Sequence, residues 1–258
     1  MPYFQYNKIN IFFDDKGTGI PLVFIHPPGM GRKVFYHQYS LSKHFRILTP
    51  DLSGHGDTSG ALEHVTMKNF ASEIRALLDH LSIAKAVICG YSSGGCVAQE
   101  FALSYQDRTL GLILAGGFPE IRSAVLRYEH QIGMYFIKNF PSAIKFAIAA
   151  AHTLEPNLRN MLKEHMDQAN RKVWFDFYNR SLHFSCVDRL PQLKIPLLLI
   201  YGAKDFTNQH IRAYRRVTSF QAAFIKKAHH QLPFKNWQLF NQIITGFVVD
   251  HFSTDEQS

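Results

Sequence analysis

Only three cysteines, Cys89, Cys96 and Cys186, occur in 258 residues. They form neither a CxxC pair nor an even set, which argues against a disulfide framework or a zinc site and for reduced thiols in a cytoplasmic protein. Long apolar runs are missing as well. No segment approaches the roughly 18 uninterrupted apolar residues that a membrane span needs. The first eight residues, Met1 to Lys8, lack the charged-then-apolar layout of a secretory signal. Basic clusters are also scarce. The net charge of +8 invites a nucleic-acid reading, yet Lys and Arg occur only in short pairs such as Arg171-Lys172, Arg215-Arg216 and Lys226-Lys227. Without a basic run or a nucleic-acid module the excess reads as a solvated surface. No internal repeat, low-complexity stretch or flexible linker interrupts the chain. The expectation is a soluble, intracellular protein that binds no nucleic acid.

Hydrophobic residues make up 46% and charged residues 19%, an ordinary globular balance. The length suits one α/β domain, or a core with an insertion. Near-continuous apolar runs mark strands buried on both faces at Pro21–His26, Phe45–Pro50, Ala86–Cys89, Leu110–Ala115, Pro196–Tyr201 and Ala222–Ile225. Asn10–Asp14 reads as a further strand ending in a turn. Phe70, Ile74, Leu77, Leu78 and Leu81 form a helical stripe, and Trp237–Phe252 reads as a closing amphipathic helix. Strands alternating with helices predict a mostly parallel sheet covered on both faces. Between Phe118 and Pro191 the strand signal stops. Aromatic and methionine residues at helix-like spacing, punctuated by Pro141 and Pro156, predict an all-helical insertion there. Most of those large side chains are expected to form the insertion's own core, and a minority to line a pocket.

The most informative stretch is Gly90-Tyr91-Ser92-Ser93-Gly94, set between an apolar strand and a helix that starts with small residues. A strand turning sharply into a helix strains the residue at its apex, and side chains two positions either side would collide across the turn. The apical Ser92 is left exposed at a helix N-terminus, where backbone N–H groups stabilise negative charge. A serine hydroxyl needs a base to take its proton, and that base needs a carboxylate to hold its tautomer. Both are available in loops that follow buried strands. Asp205 comes after Pro196–Tyr201, and His230 after the strand that ends near Lys226. In a parallel sheet the C-terminal strand ends share one edge, so Ser92, Asp205 and His230 are expected to converge.

The order Ser, Asp, His, together with the His26-Pro27-Pro28-Gly29 loop, the Pro50-Asp51-Leu52-Ser53-Gly54-His55-Gly56 loop and the elbow, resembles the α/β-hydrolase superfamily over nearly the whole chain. The resemblance implies an α/β-hydrolase fold, with a core of residues 1–117 and 191–258 and a helical cap of residues 118–190. It also implies Ser92 as nucleophile, His230 as general base and acid, and Asp205 as the orienting acid. Ser93 fits the elbow less well, because Tyr91 rather than a glycine precedes it by two positions. His229 adjoins His230, but the family pattern of histidine followed by Gln-Leu-Pro favours His230. Glu120 is a weaker substitute for the acid, and Asp51 and His55 are expected to hold the tight Gly54–Gly56 turn.

An oxyanion hole needs two N–H donors. Ser93 is expected to supply one. Many relatives take the other from the loop after the histidine, but Pro27 and Pro28 have no N–H, so that donor shifts to Gly29 or Met30. The function implied is a serine hydrolase acting on a small, fairly apolar ester or related acyl compound, with no metal or organic cofactor. Other serine-triad chemistries (carbon–carbon bond hydrolysis, lactone opening, thioester cleavage, perhydrolysis) stay open, as does a slow-turnover receptor for a small signalling molecule. The substrate and the oligomeric state are not readable from the chain.

Overall fold

Eight strands form a single sheet in the computed structural model, which describes residues 2–253. The strands are β1 (Tyr3–Tyr6), β2 (Ile9–Lys16), β3 (Pro21–Ile25), β4 (Arg46–Pro50), β5 (Ala86–Tyr91), β6 (Thr109–Ala115), β7 (Leu197–Gly202) and β8 (Gln221–Ile225). Their spatial order is β1-β2-β4-β3-β5-β6-β7-β8. From β4 to β8 every neighbouring pair is parallel, while β1 and β2 are joined antiparallel at one edge. The apolar runs behave as continuous buried strands should: every residue of β5 and of β7 is buried.

The chain places β4 on one side of β3 and β5 on the other, so the strand order reverses between β3 and β5. Loops leaving those two strands diverge there and open a crevice at the carboxyl ends. The loop from His26 and the elbow from Ser92 both leave from this point. Helices α1 (Met67–His80) and α2 (Gly94–Ser104) pack together on one face. The α1 stripe of Phe70, Ile74, Leu77 and Leu78 is fully buried, and Thr66 caps the helix by accepting from Asn69 N–H at 3.0 Å.

Four helices follow β6 before the chain returns to the sheet at β7: α3 (Ala124–Asn139), α4 (Pro141–His152), α5 (Pro156–Asp167) and α6 (Arg171–Leu182). Pro141 and Pro156 occupy first helical positions, where a missing N–H costs no hydrogen bond. Short helices α7 (Ile211–Arg215) and α8 (Leu232–Lys235) precede α9 (Trp237–Phe252), which closes the fold. Among the described residues no helix is long and apolar enough to cross a membrane.

The structure adds two elements that the sequence did not point to and corrects the reading of one strand. Tyr3–Tyr6 is a strand, paired with Ile9–Phe12, although its alternation is too short to be read alone. The segment Arg32–Lys43 is a run of 3-10 helix with a kink at Phe35. β8 is apolar in composition but is the outer strand, and only Ile225 is buried along it. The large side chains of α3–α6 also divide differently from the expectation. Met166, Trp174 and Phe177 are buried, but Tyr128, Tyr135, Phe140 and Phe146 are exposed.

A charged cluster ties the loops together beneath α5. Asp51, fully buried after β4, accepts from Arg32 N–H (2.6 Å), from Asp57 N–H (2.9 Å), from the Arg32 guanidinium and from His165 Nε2 of α5 (3.0 Å). Arg32 also pairs with Asp14 and Asp57, each at 2.8 Å. Burial favours a neutral Asp51, but the hydrogen bond and charge of His165 and the Arg32 guanidinium outweigh it and hold the carboxyl well below the ordinary 3.8. The residues of this cluster, Asp51, Asp57 and His165, form the one metal-like grouping among the described residues. Its two carboxylates already face the Arg32 guanidinium.

Two stability predictions follow from this packing. Ile113→Ala, at a fully buried position of β6, is expected to cost about 2–5 kcal/mol, read as a lower denaturant midpoint at unchanged m. Asp51→Ala strips a buried guanidinium of its main counter-charge and is expected to cost about 3–5 kcal/mol. Because folding lowers the Asp51 pKa, its stabilisation is complete above 3.8 and lost as pH falls through the lower folded value. Acid unfolding of the parent and variant should therefore converge at low pH.

Candidate active site

The elbow is built as its sequence suggests, and the reason is space. Ser92 sits at φ 54°, in the left-handed region that a side chain rarely adopts. A Cβ on Gly90 would lie 2.6 Å from Gly95 Cα and 2.7 Å from Ala98 Cβ. One on Gly94 would strike the Ile25 carbonyl and lie 2.7 Å from His26 O. Only glycines let β5, α2 and the end of β3 approach this closely. The strained apex is pinned by Ser92 N–H donating to Ala115 O (2.8 Å) and by Gly95 N–H donating to Ser92 O (2.9 Å).

Three loops from β5, β7 and β8 meet at the carboxyl edge. His230 Nε2 lies 2.8 Å from Ser92 Oγ, and His230 Nδ1 lies 2.8 Å from Asp205 Oδ2. A carboxylate only accepts, so Nδ1 carries the proton and Nε2 is free to accept from the serine hydroxyl. Asp205 is buried at 2% exposure, and its other oxygen accepts from Thr207 N–H at 2.9 Å. Burial would favour a neutral Asp205, yet its hydrogen bond to His230, the His230 charge and the bonds from Thr207 pull its pKa below the ordinary value. Burial likewise favours a neutral His230. The Asp205 hydrogen bond, the Asp205 charge and the charge of Glu129 outweigh it and raise His230 above 6.5. Gly116, after β6, leaves room for the ring, since a Cβ there would lie 2.6 Å from His230 Cε1.

The competing residues go elsewhere. Ser93 is 3% exposed and its hydroxyl faces His130 Nε2 at 3.3 Å, not His230. His229 is exposed, and Glu120 pairs with Arg122. His55 is wholly buried, with Nδ1 3.1 Å from Ser53 O, and burial pushes its pKa down to about 3. Asp51 is committed to the cluster described above. Met30 N–H donates to Pro27 O at 3.3 Å within the loop. Ser93 stands at the N-cap of α2, where N–H groups have no intrahelical acceptor.

Several histidines around the site have positioning roles that the sequence did not assign. His26 fixes its own loop: Leu52 N–H donates to Nε2 (3.0 Å), so Nδ1–H must donate to Pro27 O (2.9 Å). His130 of α3 and His152 of α4 each give Nδ1–H to the carbonyl four residues earlier, Leu126 O (2.9 Å) and Ile148 O (2.8 Å). Their Nε2 atoms therefore accept, from the Ser93 hydroxyl and from Tyr91 O–H (3.1 Å). Burial lowers both histidines to about 4. The residues before and after Ser92 are thus each tied to a different helix of the α3–α6 segment. Isolated histidines on helices say nothing in sequence about the carbonyl and hydroxyl between which they will sit.

A cavity of about 260 Å³ opens over Ser92 and His230. Its lining includes Pro27, Pro28 and Met30 from the loop after β3, Ala147, Ile148, Ala151 and His152 of α4, Glu129 of α3 and Tyr178 of α6. Of the aromatic and methionine residues that the sequence offered as pocket candidates in the helical insertion, Tyr178 alone lines this cavity.

Comparison with known proteins matches this arrangement to one family. The family model described as the alpha/beta hydrolase fold matches residues 20–233. Among curated proteins the chain is 27% identical over 248 residues to the dihydrolipoyllysine-residue acetyltransferase component of the acetoin cleaving system of Pseudomonas putida, covering 90% of this chain and 64% of that one. It is 34% identical over 159 residues to the sn-1-specific diacylglycerol lipase ABHD11 of Danio rerio, covering 59% and 48%. The chain thus spans between about half and two thirds of the length of these relatives. Among solved structures it is similar to a thermophilic esterase from Thermogutta terrifontis, with TM-score 0.82, 24% identity and 98% of each chain covered. It is also similar to the enol-lactonase from Burkholderia xenovorans LB400, with TM-score 0.84, 20% identity and 96% and 100% covered. With its family model spanning most of its length, the chain belongs to the α/β-hydrolase superfamily.

Proposed function

We propose that this protein is a serine hydrolase that cleaves a small, fairly apolar ester or related acyl compound through an acyl-enzyme. The observation that carries the reading is the pair of 2.8 Å hydrogen bonds that His230 makes to Ser92 and Asp205. Ser92 Oγ attacks the acyl carbon as its proton passes to His230 Nε2, and the carbonyl oxygen takes up negative charge. Asp205 holds the ring in the accepting tautomer and stabilises the imidazolium. His230 then protonates the leaving alkoxide, and the carbonyl reforms on Ser92. Water enters, gives its proton to His230 and attacks the acyl-enzyme, and the acid leaves as Ser92 regains its hydrogen.

The oxyanion is assigned to Ser93 N–H and to one donor from the loop after His26. Gly29 and Met30 remain the two candidates there, and Met30 would have to share the N–H it already gives to Pro27 O. Residues 118–190 act in this reading as a cap, with α3 and α4 roofing the cavity and setting its size. The apolar walls of Pro27, Pro28, Ala147, Ile148 and Ala151 support a small, weakly polar acyl group. No step calls for a metal or an organic cofactor. Three unpaired, buried thiols suit a reducing compartment, and we place the protein in the cytoplasm.

Short p-nitrophenyl esters test the proposal. Steady turnover that falls by about 10⁴-fold or more in Ser92→Ala, with the fold intact by circular dichroism, is the expected result. A single burst without turnover would instead support a receptor that traps its ligand, and turnover independent of Ser92 would end the proposal. The pH profile gives a second check. His230 must be neutral to accept the serine proton, and its pKa is raised, so kcat/KM should rise with pH along an acid limb lying above 6.5.

A further inference from the structure

One charged residue of the cavity is assigned no step in the acyl transfer outlined above. Glu129, on α3, is the only carboxylate among the described residues lining the space over Ser92, and neither lysine nor arginine lines it. The other walls are apolar or neutral: prolines, alanines, Met30, Ile148, Gln231 and the tyrosines Tyr91 and Tyr178. The α3 backbone at Glu129 is anchored through its chain neighbour His130, whose Nε2 accepts from the Ser93 hydroxyl at 3.3 Å. Glu129 is solvent-exposed along α3, while burial at its carboxyl end and the Asp205 charge raise its pKa against the opposing His230 charge. Its own charge in turn helps to raise Tyr91, Tyr178 and His230. Both tyrosines are kept neutral well above the ordinary phenol value, chiefly by burial. Neutral aromatic rings and one carboxylate, sharing a small cavity, make a setting for an organic cation.

We propose that Glu129, with Tyr91 and Tyr178, forms a subsite for a substituted ammonium group carried by the substrate near its scissile carbonyl. The inference rests on the serine-hydrolase reading, but in place of a weakly polar acyl group it assigns one that ends in a cation. A cation is drawn to the Glu129 carboxylate and the ring faces. A carboxylate-bearing acyl group meets like charge at the cavity mouth and finds no basic partner inside it. The same negative charge stabilises the His230 imidazolium formed while Ser92 attacks, so the subsite and the triad reinforce one another.

The test uses three p-nitrophenyl esters of matched chain length: the γ-trimethylammonio-butyryl ester, its neutral isostere with carbon in place of nitrogen, and the hemiglutarate. In the parent protein kcat/KM should be highest for the cation and lowest for the anion. In Glu129→Gln the cation-to-isostere ratio should fall about tenfold, and in Glu129→Lys the hemiglutarate should overtake the cation. Each ratio is taken within one protein, so altered folding yield or overall rate cancels. Should neither variant fold, the parent ratio should still shrink between low salt and about 1 M salt as the charges are screened. A parent with no preference for the cation, a salt-insensitive ratio, or a ratio unchanged in Glu129→Gln overturns the subsite.

Calorimetric binding of the corresponding primary amides separates this result from the fate of the hydrolase reading. Cation-selective binding without Ser92-dependent turnover supports the subsite and removes the hydrolase. Ser92-dependent turnover with no charge preference does the reverse.

Discussion

A serine held at positive φ, with no side chain permitted two residues to either side, is the constraint on which the site depends. The left-handed backbone at Ser92 costs on the order of 1–3 kcal/mol, and it persists because the surrounding structure over-determines it. Strand β5 fixes one end and helix α2 the other. Hydrogen bonds from Ser92 N–H to Ala115 O and from Gly95 N–H to Ser92 O tie the apex to β6 and to the first turn of α2. Once the apex is held, its side chain projects above the carboxyl edge, and only loops from neighbouring strands can reach it. β6, β7 and β8 lie on that side in spatial order, and their loops bring Gly116, Asp205 and His230.

The helical segment between β6 and β7 is fastened to this edge through histidines. His130, His152 and His165 come from three different helices and bind Ser93, Tyr91 and Asp51. For His130 and His152, burial keeps the rings neutral, so each acts as an acceptor for a core hydroxyl while donating to its own helix. Neutral hydrogen bonds of this kind add little energy singly, about 1 kcal/mol each. Their value lies in direction. They set the height and rotation of α3 and α4 above Ser92, and so the shape of the cavity that Glu129 and Tyr178 complete.

Much of the sheet was legible before any coordinates. Strands buried on both faces announce themselves as apolar runs, and the six such runs noted in the sequence correspond to β3 through β8. What escaped detection was structure fixed by distant partners: the Tyr3–Tyr6 strand, which needs β2 to be recognised, and the Arg32–Lys43 segment, tied at Arg32 to Asp51 and at Gln38 to Pro233 O and Asn241. The exposure of β8 was also invisible, because apolar composition does not say whether a strand stands at the edge. In the helical segment, aromatic residues at helical spacing suggested a core. Tyr128 and Tyr135 instead face solvent, since α3 spends its buried face on α6 and the elbow.

The chain by itself determined the order and the kind of its elements, together with the glycines without which the elbow could not close. It also placed an alcohol, a carboxylate and an imidazole each just beyond a strand, and in a parallel sheet that position implies one shared edge. The sequence favoured one of each pair of candidates, and the tertiary structure shows which of them meet. Ser92 rather than Ser93 faces His230, since the Ser93 hydroxyl is taken up by His130, and His230 rather than the exposed His229 faces Asp205. The tertiary structure alone also decided what surrounds the serine. Contacts between residues far apart in sequence, such as Glu129 beside His230 or His152 against Tyr91, arise from how helices lie across a sheet, and no short-range pattern encodes that placement.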